Sequence, residues 1–190
     1  MKQPLGRDAE KEAFGLVEIR LSRLHQLFNS FDPSPFLEKD LDKDAEEYIV
    51  GSADEFPLPK PLKLVIELPA DQLPFAEASN LPQAIHNYFT YRFHASVRQL
   101  RFLFREGRIA LTIGLLFLFA CVSVRQVAFA FGPGTMPQIA GEGLLILGWV
   151  AMWRPLQIFL YEWWPVRHNR RLYAKLSTIP VEIRIAVALP

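Results

Sequence analysis

Residues 109–131 read IALTIGLLFLFACVSVRQVAFAF, and residues 143–164 read GLLILGWVAMWRPLQIFLYEWW. Ile109 to Val124 carry no charge, but at 1.5 Å per residue they reach only roughly 24 Å, short of a hydrocarbon core of about 30 Å. The apolar run resumes after Arg125 and Gln126 and continues to Phe131. Read as 109–131, with Arg125 snorkelling at one interface, the segment is long enough to cross a bilayer. The second segment ends in Tyr161, Trp163 and Trp164, aromatic residues that favour the headgroup level. Between the two, residues 132–142 open with Gly132-Pro133-Gly134-Thr135-Met136-Pro137, a cluster of helix breakers that predicts a turn. The expected fold is a membrane α-helical hairpin of two transmembrane helices. The competing reading, a hairpin buried in a soluble protein, needs surrounding apolar mass that a chain of 190 residues hardly holds elsewhere.

Charge orients the hairpin. Arg92, Arg98, Arg101, Arg105 and Arg108 precede the first span, and Arg167, Arg170, Arg171 and Lys175 follow the second. The connecting turn has no Lys or Arg over 132–141. The positive-inside rule therefore places both flanks, and both termini, in the cytosol of a multi-pass inner-membrane protein. No apolar segment opens the chain in the manner of a signal peptide, so insertion falls to the internal spans. The net charge of +1 gives no pull toward nucleic acid, and a single cysteine, Cys121, excludes a disulfide framework within the chain.

Residues 79–108 predict a long amphipathic approach helix. Asn80 and Gln83 stand at capping-box spacing, and Pro82 is tolerated in a first turn. Ile85, Phe89, Phe93, Val97, Leu100, Leu103 and Phe104 fall on one arc beside a stripe of Arg98, Arg101, Arg105 and Arg108. Such a helix lies on the membrane surface, runs into the first span as one rod, or packs on its own cytosolic domain. The first two readings put Arg98, Arg101, Arg105 and Arg108, with Arg167, Arg170 and Arg171 of the basic segment 165–175, on the phosphates of anionic lipid.

Three stretches alternate as strands do: Gly15–Leu21, Leu62–Leu68 and Val181–Val187. Val-Glu-Ile-Arg occurs at 17–20 and again at 181–184. With both flanks cytosolic, the three predict a small cytosolic α/β domain of residues 14–78, completed by 176–190 and preceded by a flexible N-terminus at 1–13. Leu24, Leu27, Phe28 and Phe31 suggest a helical turn or two, and Asp32-Pro33-Ser34-Pro35 a chain reversal. Asp44 with Glu47 suggests a capping box opening a helix that Gly51 closes.

Chemistry is sparse. Asp40, Asp42 and Asp44 match the opening of a calcium loop, but Ala45 stands where the turn glycine belongs and Gly51 where the bidentate glutamate belongs, leaving a weak metal candidate. His25, His86, His94 and His168 form no ligand pattern, and no phosphate loop, nucleophile elbow or dinucleotide fingerprint occurs. No cofactor and no catalytic residue is expected. Gly114 has no small residue four places on, so the close-packing dimer motif is missing. Arg154 stands out: counted from Gly143 it lies roughly 16 Å into the second span, near the midplane, where a charge needs a partner or a role. Glu162 and Glu142 look too distant along the helix, which points to an intramembrane contact with another chain.

The runs FDPSPFLEKDLDKDAEEYIVG (31–51) and WRPLQIFLYEWWP (153–165) resemble an uncharacterised family of small bacterial two-span membrane proteins. The resemblance implies an inner-membrane setting and brings no activity and no site residues. The function expected is that of a non-enzymatic accessory, scaffold or assembly protein, engaging other membrane subunits or copies of itself. The alternative is a transporter or channel subunit with Arg154 attracting an anion.

Overall fold

A computed structural model describes residues 13–130 and 134–186, with backbone only at 128, 136 and 137. The expected N-terminal segment and the last residues of the third strand, from 187, lie outside these. Strands β1 (Gly15–Arg20), β2 (Leu62–Leu68) and β3 (Val181–Ile185) form one parallel sheet in the order β1-β2-β3. The helices are α1 (Lys43–Asp54), α2 (Leu73–Ala78), α3 (Leu81–Ala130), α4 (Thr135–Ala151), α5 (Trp153–Gln157) and α6 (Trp163–Leu176), with a π-turn at Ile158–Glu162. Two helical stretches, Leu81–Val127 and Gln138–Leu176, are long and apolar enough to cross a membrane. The chain divides into two compact units, one holding the sheet (to Ala95 and from His168) and one holding Ser96–Arg167.

In the sheet unit, β2 carries the core. Leu62, Leu64, Ile66 and Leu68 are buried on one face, as the alternation predicts, and meet Val17, Ile19, Leu24, Leu27, Ile49, Ile85, Phe89, Leu172 and Leu176. Register pairs Val17 with Leu64 and Ile19 with Ile66, then Ile66 with Ile183 across the other edge. The opposite face is mostly ionic. Arg20 holds Glu67 at 2.7 Å, and Glu182 is bridged by Lys63 and by Arg184. Arg184 first, then Lys63, lower the Glu182 carboxyl to about 2. The stabilisation from those pairs is therefore full above the ordinary carboxylate range and is lost as pH falls toward 2.

Several local expectations are corrected. The N-cap of α1 is Asp42, whose carboxylate accepts from the Asp44 N–H at 3.0 Å, so Asp44 does not open a box with Glu47. The helix runs through Gly51 to Asp54, because Ala45, Ile49 and Ala53 bury one continuous face. Gln83 bonds Asn87 rather than the helix start, and Asn80 instead takes a left-handed turn at φ 51°, which asparagine tolerates. Leu24, Leu27 and Phe28 are buried around a 3-10 turn, but Phe31 points outward. Asp32 shapes the reversal as expected, accepting from the Ser34 and Asp40 N–H groups.

The approach helix combines two of its three readings. The helical backbone is unbroken through α3, and its first turns bury Leu81, Ala84, Ile85, Tyr88 and Phe89 in the core of the sheet unit. The basic segment is likewise helical, and α6 buries Leu172, Tyr173 and Leu176.

A polar node ties these helices together. Glu46 of α1 pairs with Arg92 at 2.6 Å and accepts from Tyr88 at 2.7 Å and from Tyr173 at 3.3 Å. Burial, then the Glu46 carboxylate, push the Tyr88 hydroxyl far above its ordinary range, so it serves as a neutral donor. Glu46→Ala strips one acceptor from three donors and should cost about 1–3 kcal/mol of unfolding free energy. Denaturant titration in mild detergent checks this, and an unchanged midpoint would mean the node is solvated.

Candidate functional site

Within residues 96–167, α3 and α4–α6 pack as an antiparallel pair along a seam of small residues. A Cβ added at Gly107 would lie 2.9 Å from Ile158, one at Gly114 3.1 Å from the Ala151 carbonyl oxygen, one at Gly148 2.7 Å from Leu118 and 3.4 Å from the Cys121 Cβ, and one at Gly141 3.2 Å from Arg125. Gly107, Gly114 and Cys121 recur every seven residues on one strand of the pair, and Gly141, Gly148 and Pro155 on the other. All six are buried, as is Ile158. A seven-residue repeat keeps one stripe facing a partner helix, and small residues let the backbones approach. Testing Gly114 only at a spacing of four misses this repeat, and a test at seven finds it. Pro155 lacks the N–H that would bond the Ala151 carbonyl, and Gly114 leaves room for that oxygen.

The helix Thr135–Ala151 begins before Gly143, so much of the expected turn is helical; Gly132 and Pro133 lie outside the described residues. Pro137 falls in its first turn, where a missing N–H does no harm. The earlier start moves Arg154. With residues 135–153 ahead of it, roughly 28 Å of helix, Arg154 lies level with Glu106, just before the first apolar run opens at Ile109.

Arg154 closes a three-residue cluster. Its Nη2 donates to Glu106 at 2.6 Å and its Nη1 to Glu162 at 2.5 Å. The expectation that no carboxylate of this hairpin reaches Arg154 is corrected, for two reasons. Glu106, placed before the first span, lies opposite once the antiparallel register is set. Glu162 is brought round by the π-turn at Ile158–Glu162. In an unbroken α-helix, eight residues turn about 80° beyond two full turns. A π-turn takes up one extra residue, which returns Glu162 to within roughly 20° of Arg154. The cluster has a formal charge of −1, so Arg154 here offers an anion no free positive charge.

The other candidates are scattered. Arg98, Arg101, Arg105, Arg108, Arg167 and Arg171 are exposed and Arg170 is half-buried; Arg167 stacks over Trp163 at 5.5 Å. Asp42 is occupied as a helix cap, and among the described residues no three His, Cys, Asp or Glu side chains converge on a metal position, so Asp40, Asp42 and Asp44 do not form one. His86 bonds the Ile179 carbonyl at 2.7 Å and His168 bonds Asp54 at 2.5 Å, both structural contacts. Comparison with protein-family models, curated proteins and solved structures found no match.

The pairing is testable by a double-mutant cycle. Arg154→Leu and Glu106→Leu should each lower the melting temperature in detergent, and the double variant should lose less than their sum, with a coupling of about 0.5–3 kcal/mol. Strict additivity would show that the two side chains do not interact.

Proposed function

We propose that the chain is a two-span protein of the bacterial inner membrane, whose hairpin anchors the three-stranded domain on the cytosolic face as a non-enzymatic scaffold or assembly element for other membrane subunits. The observation that carries this reading is the exposure of the hairpin's apolar sides. Leu116, Phe119, Trp149 and Val150 are each more than 60% exposed, and only 17% of the most apolar window in each helix is buried. Bare in water, such a surface far exceeds the apolar patches that soluble monomers tolerate, whereas hydrocarbon covers it without cost.

Three further observations support the reading. Both ends of the hairpin lead into the same sheet unit, so two crossings return the chain to the side it left. Arginines flank the hairpin at both of those ends. The Arg154 cluster is level with Glu106, just before the first apolar run opens at Ile109 and roughly 28 Å of helix from Thr135, a depth at which charged side chains can reach headgroups and water. The scaffold role rests on a small folded domain joined at both ends, in sequence, to the hairpin. Exposed Arg98, Arg101, Arg105 and Arg108 would then lie within reach of anionic headgroups.

Reporter fusions test the topology. Fusions at Met1 and Pro190 should both report the cytosol, and one at Gly134 the outside. An external reading at either terminus would overturn the two-crossing arrangement.

A further inference from the structure

β1 and β3 are the two edges of the sheet, and they are not finished alike. On β1 the outward Glu18 carbonyl accepts from the Tyr48 hydroxyl at 3.0 Å. On β3 the direction of the backbone follows from its ends. The Pro180 carbonyl accepts from Leu64 N–H at 2.9 Å, and the Ala186 N–H donates to the Leu68 carbonyl at 2.8 Å. Even-numbered residues therefore face β2, and Val181, Ile183 and Ile185 turn their N–H and C=O groups outward. Among the described residues no hydrogen bond reaches those groups, and the Ile185 side chain is 57% exposed. An edge with such outward groups is a template for another strand.

We propose that the occupant is β3 of a second copy, paired antiparallel about a two-fold axis at Ile183, joining two three-stranded sheets into one. The outward backbone groups admit any residue as the centre, and strand overlap and side-chain charge choose Ile183 among them. Centred on Ile183, the outward groups of Ile183 meet those of the other Ile183, and Val181 meets Ile185, so every outward N–H and C=O finds a partner. Glu182 then stands opposite Arg184 of the other copy at a non-hydrogen-bonded position, where Cα atoms approach to about 4.5 Å and side chains lie closest. A centre on Glu182 or Arg184 keeps the backbone pattern but opposes like charges, Glu182 with Glu182 or Arg184 with Arg184, at the axis. A centre on Val181 or Ile185 keeps the backbone bonds but separates the opposite charges. The pairing also covers the exposed Ile185 with Val181 of the other copy. It is isologous, the symmetry by which most soluble dimers close. The inference deepens the scaffold reading by naming a copy of the chain as a partner, and it stands on the sheet alone, whether or not the hairpin spans a membrane.

Disulfide mapping in the full chain tests it, in a Cys121→Ala background and in native membranes. Two differently tagged copies are co-expressed, one with Glu182→Cys and the other with Arg184→Cys. Mild oxidation should give the mixed crosslinked dimer as the main product, with little product when both copies carry Glu182→Cys or both carry Arg184→Cys. Glu182→Arg alone should abolish the dimer by opposing Arg with Arg, and adding Arg184→Glu should restore it. Ile185→Pro removes an outward N–H without touching the β2 ladder, so it should lose the crosslink while protease resistance of the domain is kept. Absence of the mixed crosslink, equal yield from all three cysteine combinations, or a dimer indifferent to the charge reversal would each overturn the proposal. Because the readout is a contact between strands, it is independent of the fusion-based topology.

Discussion

β2 and β3 lie side by side and run the same way. Antiparallel neighbours can be joined by a tight turn, but parallel neighbours need a crossover that carries the chain back to the starting end. Here the crossover is residues 69–180, and the whole helical hairpin lies inside it. The sheet unit is thus completed only after the hairpin has been made. Leu64, Ile66 and Leu68 are buried on β2 against a core that includes Leu172, Leu176 and Ile179, all beyond the second long helix. The chain segments that enter and leave the hairpin both contribute to one small core, which is the ground for proposing two crossings.

The two units are stabilised by different physics. In the sheet unit, branched and aromatic side chains are removed from water, with the Glu46 node satisfying the polar groups among them. In the hairpin the large apolar side chains point away and small residues point in. That inversion suits a lipid environment, where helix pairs gain little from hiding leucine from hydrocarbon and gain instead from close backbone packing. Cys121 belongs to this seam, packed against Gly148, which accounts for its burial without invoking reactivity.

Much of the fold was legible in the sequence because it is written in short periods. The alternation of Leu62–Leu68 marked β2 from end to end, and the alternation of Gly15–Leu21 and Val181–Val187 marked the other two strands; that these are the sheet's edges is visible only in the structure. The long apolar runs marked the two helices. What escaped depends on contacts distant in the chain or on irregular backbone. The pairing of Arg154 with Glu162 needs a π-turn, which a 100° wheel cannot contain, and its pairing with Glu106 needs the antiparallel register. The seam was written in the sequence at a period of seven and is invisible at four. The cap of α1 moved from Asp44 to Asp42 because two aspartates compete two residues apart and the buried face of Ala45, Ile49 and Ala53 decides between them.

The central claim is that hydrocarbon covers the outward face of the hairpin, and tryptophan reports on it directly. Trp149 lies on that face, about 7 Å along the helix inside the Arg154 level, and Trp164 lies beyond the cluster on the other side. In single-tryptophan variants reconstituted into vesicles, fluorescence of Trp149 should be quenched most by lipids brominated along the acyl chain and least by an aqueous quencher. Trp164 should respond in the opposite order. Equal access of the aqueous quencher to both residues would contradict the account.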